Sequence, residues 1–156
     1  MTGRITIRQV PEAGRAVLDA LARDHFRELL PDGPPYHASA LDRYWIEPGR
    51  HPYLIEENGM PIGFALVWNH GDGTHELTEF TIRPDRRHAG IGTQAALLIF
   101  EALSGDWVLG VAQGSPGGMG FWRQCLEGSE AVTDIAETPP RTARQLGSFT
   151  FRVARG

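Results

Sequence analysis

The run from His75 to Leu103, HELTEFTIRPDRRHAGIGTQAALLIFEAL, passes from strand-like residues through a basic loop with two glycines into an almost wholly apolar stretch. Few folds accommodate that order. A helix from Gly92 to Leu103 that is apolar nearly all round has to lie deep against a sheet. Gly90 and Gly92 lack a β-carbon, so the backbone there can take unusual angles and approach a ligand closely, while the first free N–H groups of the helix point outward. Helped by the helix dipole and by Arg86, Arg87 and His88, such a terminus suits an anion, a pyrophosphate above all. A turn that merely caps a helix beside a solvated basic patch fits the glycines equally well.

The flanking segments supply the rest of the fold. RITIRQV (4–10) alternates like a half-buried strand, and Pro11-Glu12 opens a helix with Leu18, Leu21, Ala22, Phe26 and Leu29 on one face, ending near PDGPP (31–35). ASALDRYW predicts a short helical turn followed by a loop. Two strand-like runs meet at Asn58-Gly59, a dipeptide suited to the positive backbone angles of a tight hairpin, and HELTEFTIRP is the third strand of that meander. Further on, DWVLGVA (106–112) reads as a strand, SPGGMGFWRQCL (115–126) as a helix weakened by its glycines, and EAVTDIAE and LGSFTFRVA as two closing strands. The sum is one mixed α/β domain over 1–156, with a mostly antiparallel sheet of about seven strands flanked by helices. Strict alternation sets Glu79 and Thr81 toward one layer, and Phe80, Ile82 and Glu76 toward the other.

Composition excludes several functions. A net charge of −4 argues against a nucleic-acid binder, and any anion site has to be local. All 15 basic residues are arginine, which removes Schiff-base and Walker-type lysine chemistry. The single Cys125 allows no internal disulfide or multi-cysteine metal site and reads as a small buried hydrophobe on a helix. His25, His37, His51 and His70 lack metal-ligand spacing and are expected to be surface or satisfied histidines, so no metal is expected. No apolar run approaches the roughly 18–20 residues of a membrane span, and the first residues lack a signal-peptide core, so a cytoplasmic protein with no membrane partner is expected.

Gly90-x-Gly92-x-x-Ala95 also satisfies the dinucleotide-binding string, but seven residues separate Ile82 from Gly90 where that turn follows its strand almost at once. The acidic residue expected about 20 positions on is missing from VLGVAQG. A nicotinamide- or flavin-dependent oxidoreductase is therefore the remotest alternative.

Arg87-x-x-Gly90-x-Gly92, after a strand and opening a helix, resembles the acyl-CoA pyrophosphate loop of the GNAT superfamily of N-acetyltransferases. Tyr44-Trp45, Glu79-Phe80 and Phe121-Trp122-Arg123 are similar to positions in a bacterial branch of predicted acetyltransferases, over about residues 43–126. This resemblance implies a splayed sheet that holds acetyl-CoA. Thr81, Ile82 and Arg83 would meet the pantetheine arm, and Arg87, His88, Ala89, Gly90, Ile91, Gly92 and Thr93 the pyrophosphate. It further implies transfer of an acetyl group from acetyl-CoA to a primary amine of a small molecule or peptide, by direct attack on the thioester in a ternary complex. The alternative is a non-catalytic acyl-CoA sensor with the same fold.

Within that frame Glu79 is the first choice as base, against a solvated strand residue, with His75 and Glu76 as weaker contacts for the base role or the substrate. Many family members carry a tyrosine acid on the later helix, where this chain has Phe121-Trp122, so Tyr36, Tyr44 or Tyr53 substitutes or the thiol leaves unassisted. Trp122 either packs in the core or meets the cofactor arm. Ser115 stands where the family often has asparagine, and either contacts the cofactor or caps a helix with Pro116 at its first position. Tyr36, Tyr44 and Trp45 either wall an acceptor pocket or belong to the core, and Arg123 either meets phosphate or stays solvated. Monomer and homodimer through the closing strands are both compatible with the chain.

Overall fold

Strand β1 (Ile5–Gln9) is followed by a 3₁₀ turn and helix α1 (Arg15–Leu29), then by a second 3₁₀ turn and the short α2 (Arg43–Ile46). The meander β2 (Arg50–Glu57), β3 (Met60–Asn69) and β4 (Thr74–Ile82) leads to α3 (Ile91–Ala102), β5 (Gly105–Ala112), α4 (Gly118–Glu127), β6 (Val132–Thr138) and β7 (Gln145–Val153). These elements belong to a computed structural model that describes residues 3–87, 90–115 and 117–155. The seven strands form one sheet in the order β1-β2-β3-β4-β5-β7-β6. Only β4 and β5 run parallel, so this is not the doubly wound sheet that a dinucleotide turn requires. At the β2–β3 turn Asn58 and Gly59 have φ of 51° and 80°, the left-handed pair that the sequence asks for.

The sheet is apolar on both faces because β3 is apolar at consecutive positions. Phe64 and Leu66 are fully buried with Leu18 and Ala22 of α1 and Tyr44 of α2, whereas Ala65 and Val67 join Ala95 and Ile99 of α3 and Leu126 of α4. Emptying one of these large positions costs about 2–5 kcal/mol, enough to threaten a domain of this size.

Two irregularities in β4 create the site. Leu66 pairs with Glu79 but Val67 pairs with Leu77, so Thr78 is an extra residue, a β-bulge. The bulge reverses side-chain parity. Leu77, Phe80 and Ile82 all pack with the α3–α4 core, while Thr78 and Glu79 bond to residues of the α1–α2 side. Strict alternation had grouped Glu76 with Phe80; instead Glu76 pairs with Trp68 of β3 and bonds His70, and Leu77 takes the place beside Phe80.

The second irregularity is a parting of strands. β4 and β5 pair from Thr74–Asp106 to Leu77–Leu109 and no further, although β4 stays with β3 to Ile82 and β5 stays with β7 to Ala112. Beyond Leu77 the inner edge of β4 has no strand partner among the described residues. Gly63 of β3 lets β4 follow this course, because a β-carbon there would lie 2.1 Å from the Thr81 carbonyl oxygen.

Candidate active site

A cavity of about 1070 Å³ fills the opening between the parted strands. Glu79, Thr81 and Ile82 form its β4 wall, Val111 and Ala112 its β5 wall, and His25, Phe26 and Glu28 of α1 close one side. Gly90, Gly92 and Thr93 lie at the α3 end.

Glu79 is held from α1. Its Oε2 is 2.9 Å from Nε2 of His25, a ring only 8 % exposed and set edge-on to Phe64. The other ring nitrogen, Nδ1, is buried and has no partner among the described residues. His25 is thus neither a surface nor a fully satisfied histidine. The α1 stripe contained the signal for it, since Leu18, Ala22 and His25 recur at helical spacing and all are buried.

At the other end α3 begins without a side-chain cap among the described residues, and its N-cap residue Gly90 has φ of +74°. A β-carbon on Gly90 would meet nothing within 4 Å among the described residues. Gly92 has a different reason for being small, because a β-carbon there would come 3.1 Å from the Phe121 ring, which packs α4 against α3. Arg87 donates Nε–H to the Ile82 carbonyl at 2.7 Å, and its two terminal nitrogens donate to the Glu28 carboxylate at 2.6 and 2.5 Å. Those hydrogen bonds hold the Glu28 carboxyl below its usual range. Arg86 points elsewhere, making a bidentate pair with Glu57, whose Oε2 also accepts the Gly3 N–H.

Other residues singled out from the sequence lie in several places. Ile91 is buried in the core, Arg83 pairs with Asp85 outside the cavity, and His88 and Ala89 lie outside the described residues. Ser115 borders the cavity, but it does not cap α4: that helix begins at Gly118 after Gly117, with no side-chain cap, and Pro116 lies outside the described residues. Trp122 is 7 % exposed, packs edge-on against Phe80 and still borders the cavity. Arg123 makes a bidentate pair with Glu137. Cys125 is buried, and burial pushes its thiol up to about 11, the behaviour of a core residue.

The remaining candidates do not border the cavity. Tyr44 is buried and donates its hydroxyl to Thr78 Oγ1, which donates onward to the Leu66 carbonyl, and burial raises its phenol. Trp45 gives its indole N–H to the Val10 carbonyl and its face to Arg15. Tyr36 donates to Asp19 and stacks on Phe26; burial, then that bond, raises its phenol. Tyr53 is buried in β2. His75 packs on Trp107 near the start of β4, and Glu76 bonds His70. Of the side chains these candidates touch, Thr78 and Phe26 reach the cavity, and no tyrosine is among its lining residues.

Several solved acetyltransferases share this fold. An acetyltransferase from Thermus thermophilus superposes with a TM-score of 0.72 at 15 % identity, over 96 % of this chain and 98 % of that one. The PaiA N-acetyltransferase of Thermoplasma acidophilum, in complex with coenzyme A, gives 0.64 at 13 % identity over 96 % and 99 %. Spermidine N-acetyltransferase of Vibrio cholerae, in complex with CoA and spermine, gives 0.65 at 11 % identity over 94 % and 92 %. At these identities the likeness is one of fold, and no curated protein matches the chain. Residues 15–125 match the acetyltransferase (GNAT) family, and the chain belongs to that family.

Proposed function

We propose that the protein transfers an acetyl group from acetyl-CoA to a primary amine of a small molecule or peptide. One observation carries the reading: the cavity at the parted strands has a carboxylate, Glu79, on its β4 wall and, at its α3 end, a helix N-terminus with no side-chain cap among the described residues. The edge of β4 beyond Leu77 suits an extended amide-bearing arm, and the N-terminus of α3 suits a pyrophosphate, with Arg87 close in sequence. Thr81, Ile82, Gly90, Gly92, Thr93 and Ser115 all border that space.

The chemistry asked of the chain is modest. An ammonium must lose a proton before its nitrogen can attack, and Glu79 takes that proton. The neutral nitrogen then forms a bond to the thioester carbonyl carbon, the C–S bond breaks, and the second amine proton ends on the departing thiolate. The balanced products are an amide, a free thiol and one proton. With no tyrosine at the cavity wall the thiol leaves without a protein acid, which its ordinary pKa of about 8.5 allows. The same lack of a phenol favours the second reading, an acyl-CoA sensor without turnover.

Titration with acetyl-CoA and, separately, NADH tests the ligand, and thiol release over an amine panel tests turnover. Acetyl-CoA that produces neither heat nor a thermal shift overturns the transferase reading. Binding with no thiol release from any amine favours the sensor.

A further inference from the structure

We infer that His25 is a positioning residue for Glu79: it donates Nε2–H to one carboxylate oxygen and so aims the other at the amine. The inference rests on the transferase reading. Helix α1 delivers the ring across 54 residues of sequence to 2.9 Å from Glu79 Oε2, while Glu79 Oε1 makes no hydrogen bond among the described residues.

The surroundings of the ring select the tautomer. A neutral imidazole carries one N–H, and among the described residues only Nε2 faces an acceptor. Nδ1 is buried without a partner among the described residues, so a proton placed there would be stranded beside Phe26 and Phe64. With the proton on Nε2, His25 acts as a fixed donor. The aromatic contacts with Phe26 and Phe64 hold the ring, and with it the oxygen that it touches.

The charged and titratable groups nearest this pair are few. Glu28, one helical turn on from His25, is occupied by Arg87, and Tyr44 approaches Glu79 from α2 with its hydroxyl committed to Thr78. His25 is therefore the only group among the described residues that bonds the Glu79 carboxylate. Removing it would leave the carboxylate free to rotate and more fully hydrated. Catalysis would then suffer while acyl-CoA binding, made elsewhere in the cavity, would not.

Two substitutions separate this role from simple packing. His25→Gln retains an N–H donor that reaches the Nε2 position, and His25→Phe retains an aromatic ring but no donor. The expected result is near wild-type kcat for His25→Gln, a kcat about 10- to 100-fold lower for His25→Phe, and an unchanged KM for acetyl-CoA in both. Full activity in His25→Phe with loss in His25→Gln would overturn the inference, since a packing role gives that order. Nitrogen-15 NMR of the imidazole in the ligand-free protein supplies an arm that needs no turnover: a proton on Nε2 is expected, and a proton on Nδ1 would overturn the inference. Wild-type protein that acetylates no amine counts against the transferase reading instead, and the NMR result still decides how the pair is oriented.

Discussion

Arg87 and Glu28 meet at the cavity mouth in a two-pronged ion pair, with guanidinium nitrogens 2.5 and 2.6 Å from the carboxylate oxygens. In the proposed anion loop Arg87 is the basic position, and Glu28 then occupies the donors that a phosphate would use. Glu28→Gln should tighten acyl-CoA binding by about two- to fivefold, the worth of a half-exposed pair, and Arg87→Ala should weaken it. Calorimetric titration of both variants checks the signs. Unchanged affinity in both would remove Arg87 from the phosphate site.

The same pair sets a pH dependence. Glu28 is lowered in the folded state by the Arg87 hydrogen bonds, so its stabilising contribution is complete above the unfolded carboxyl pKa and is lost as pH falls through the lower folded value. Thermal melts of wild type and Glu28→Gln should differ at pH 7 and converge toward pH 3. A difference that persists undiminished in acid contradicts the assignment.

Gly90 and Arg86 should respond oppositely to substitution. Valine at a φ of +74° is strained and also places a side chain at the start of α3 where the described residues leave room, so Gly90→Val should abolish most acyl-CoA binding. Arg86 is committed to Glu57 on another surface, and Arg86→Ala should lower the melting temperature but leave acyl-CoA affinity within about twofold. The reverse ranking would refute this placement of the loop.

Glu79→Gln removes the proton acceptor but not the cavity. Turnover should fall by about 10²- to 10⁴-fold with acyl-CoA affinity unchanged. Thiol-release kinetics at saturating acetyl-CoA give the number, and wild-type turnover would exclude Glu79 as the base.

Gly63 tests how far the parted strands depend on β3. Gly63→Ala forces the Thr81 carbonyl away and should cost about 1–3 kcal/mol of stability. Gly63 does not border the cavity, so a parallel loss of acyl-CoA affinity would report displacement of β4. A denaturant melt together with a binding titration resolves the two effects.

Much of the fold is written locally. Alternation in RITIRQV, the Asn58-Gly59 turn and the apolar run after Gly92 each show their element without reference to distant residues, because propensity and periodicity act over a few positions. The start of α1 shifted from Glu12 to Arg15, with a 3₁₀ turn taking the first residues. The bulge at Thr78 left no such trace. It arises from register between β3 and β4, and by adding one residue it moved Leu77 to the core face and Glu76 to the opposite one.

By itself the sequence determined the seven strands, the loop that opens α3 and the carboxylate at position 79. Only the tertiary structure decided what those parts touch. His25 reaches Glu79 across 54 residues and Glu28 reaches Arg87 across 59, separations over which no local pattern operates. Tyr36 and Trp45 spend their polar atoms on Asp19 and Val10, and Tyr44 spends its hydroxyl on Thr78, because a buried donor must find an acceptor wherever packing puts one. Local chemistry chose the elements, and the requirement to pack and pair them chose the site.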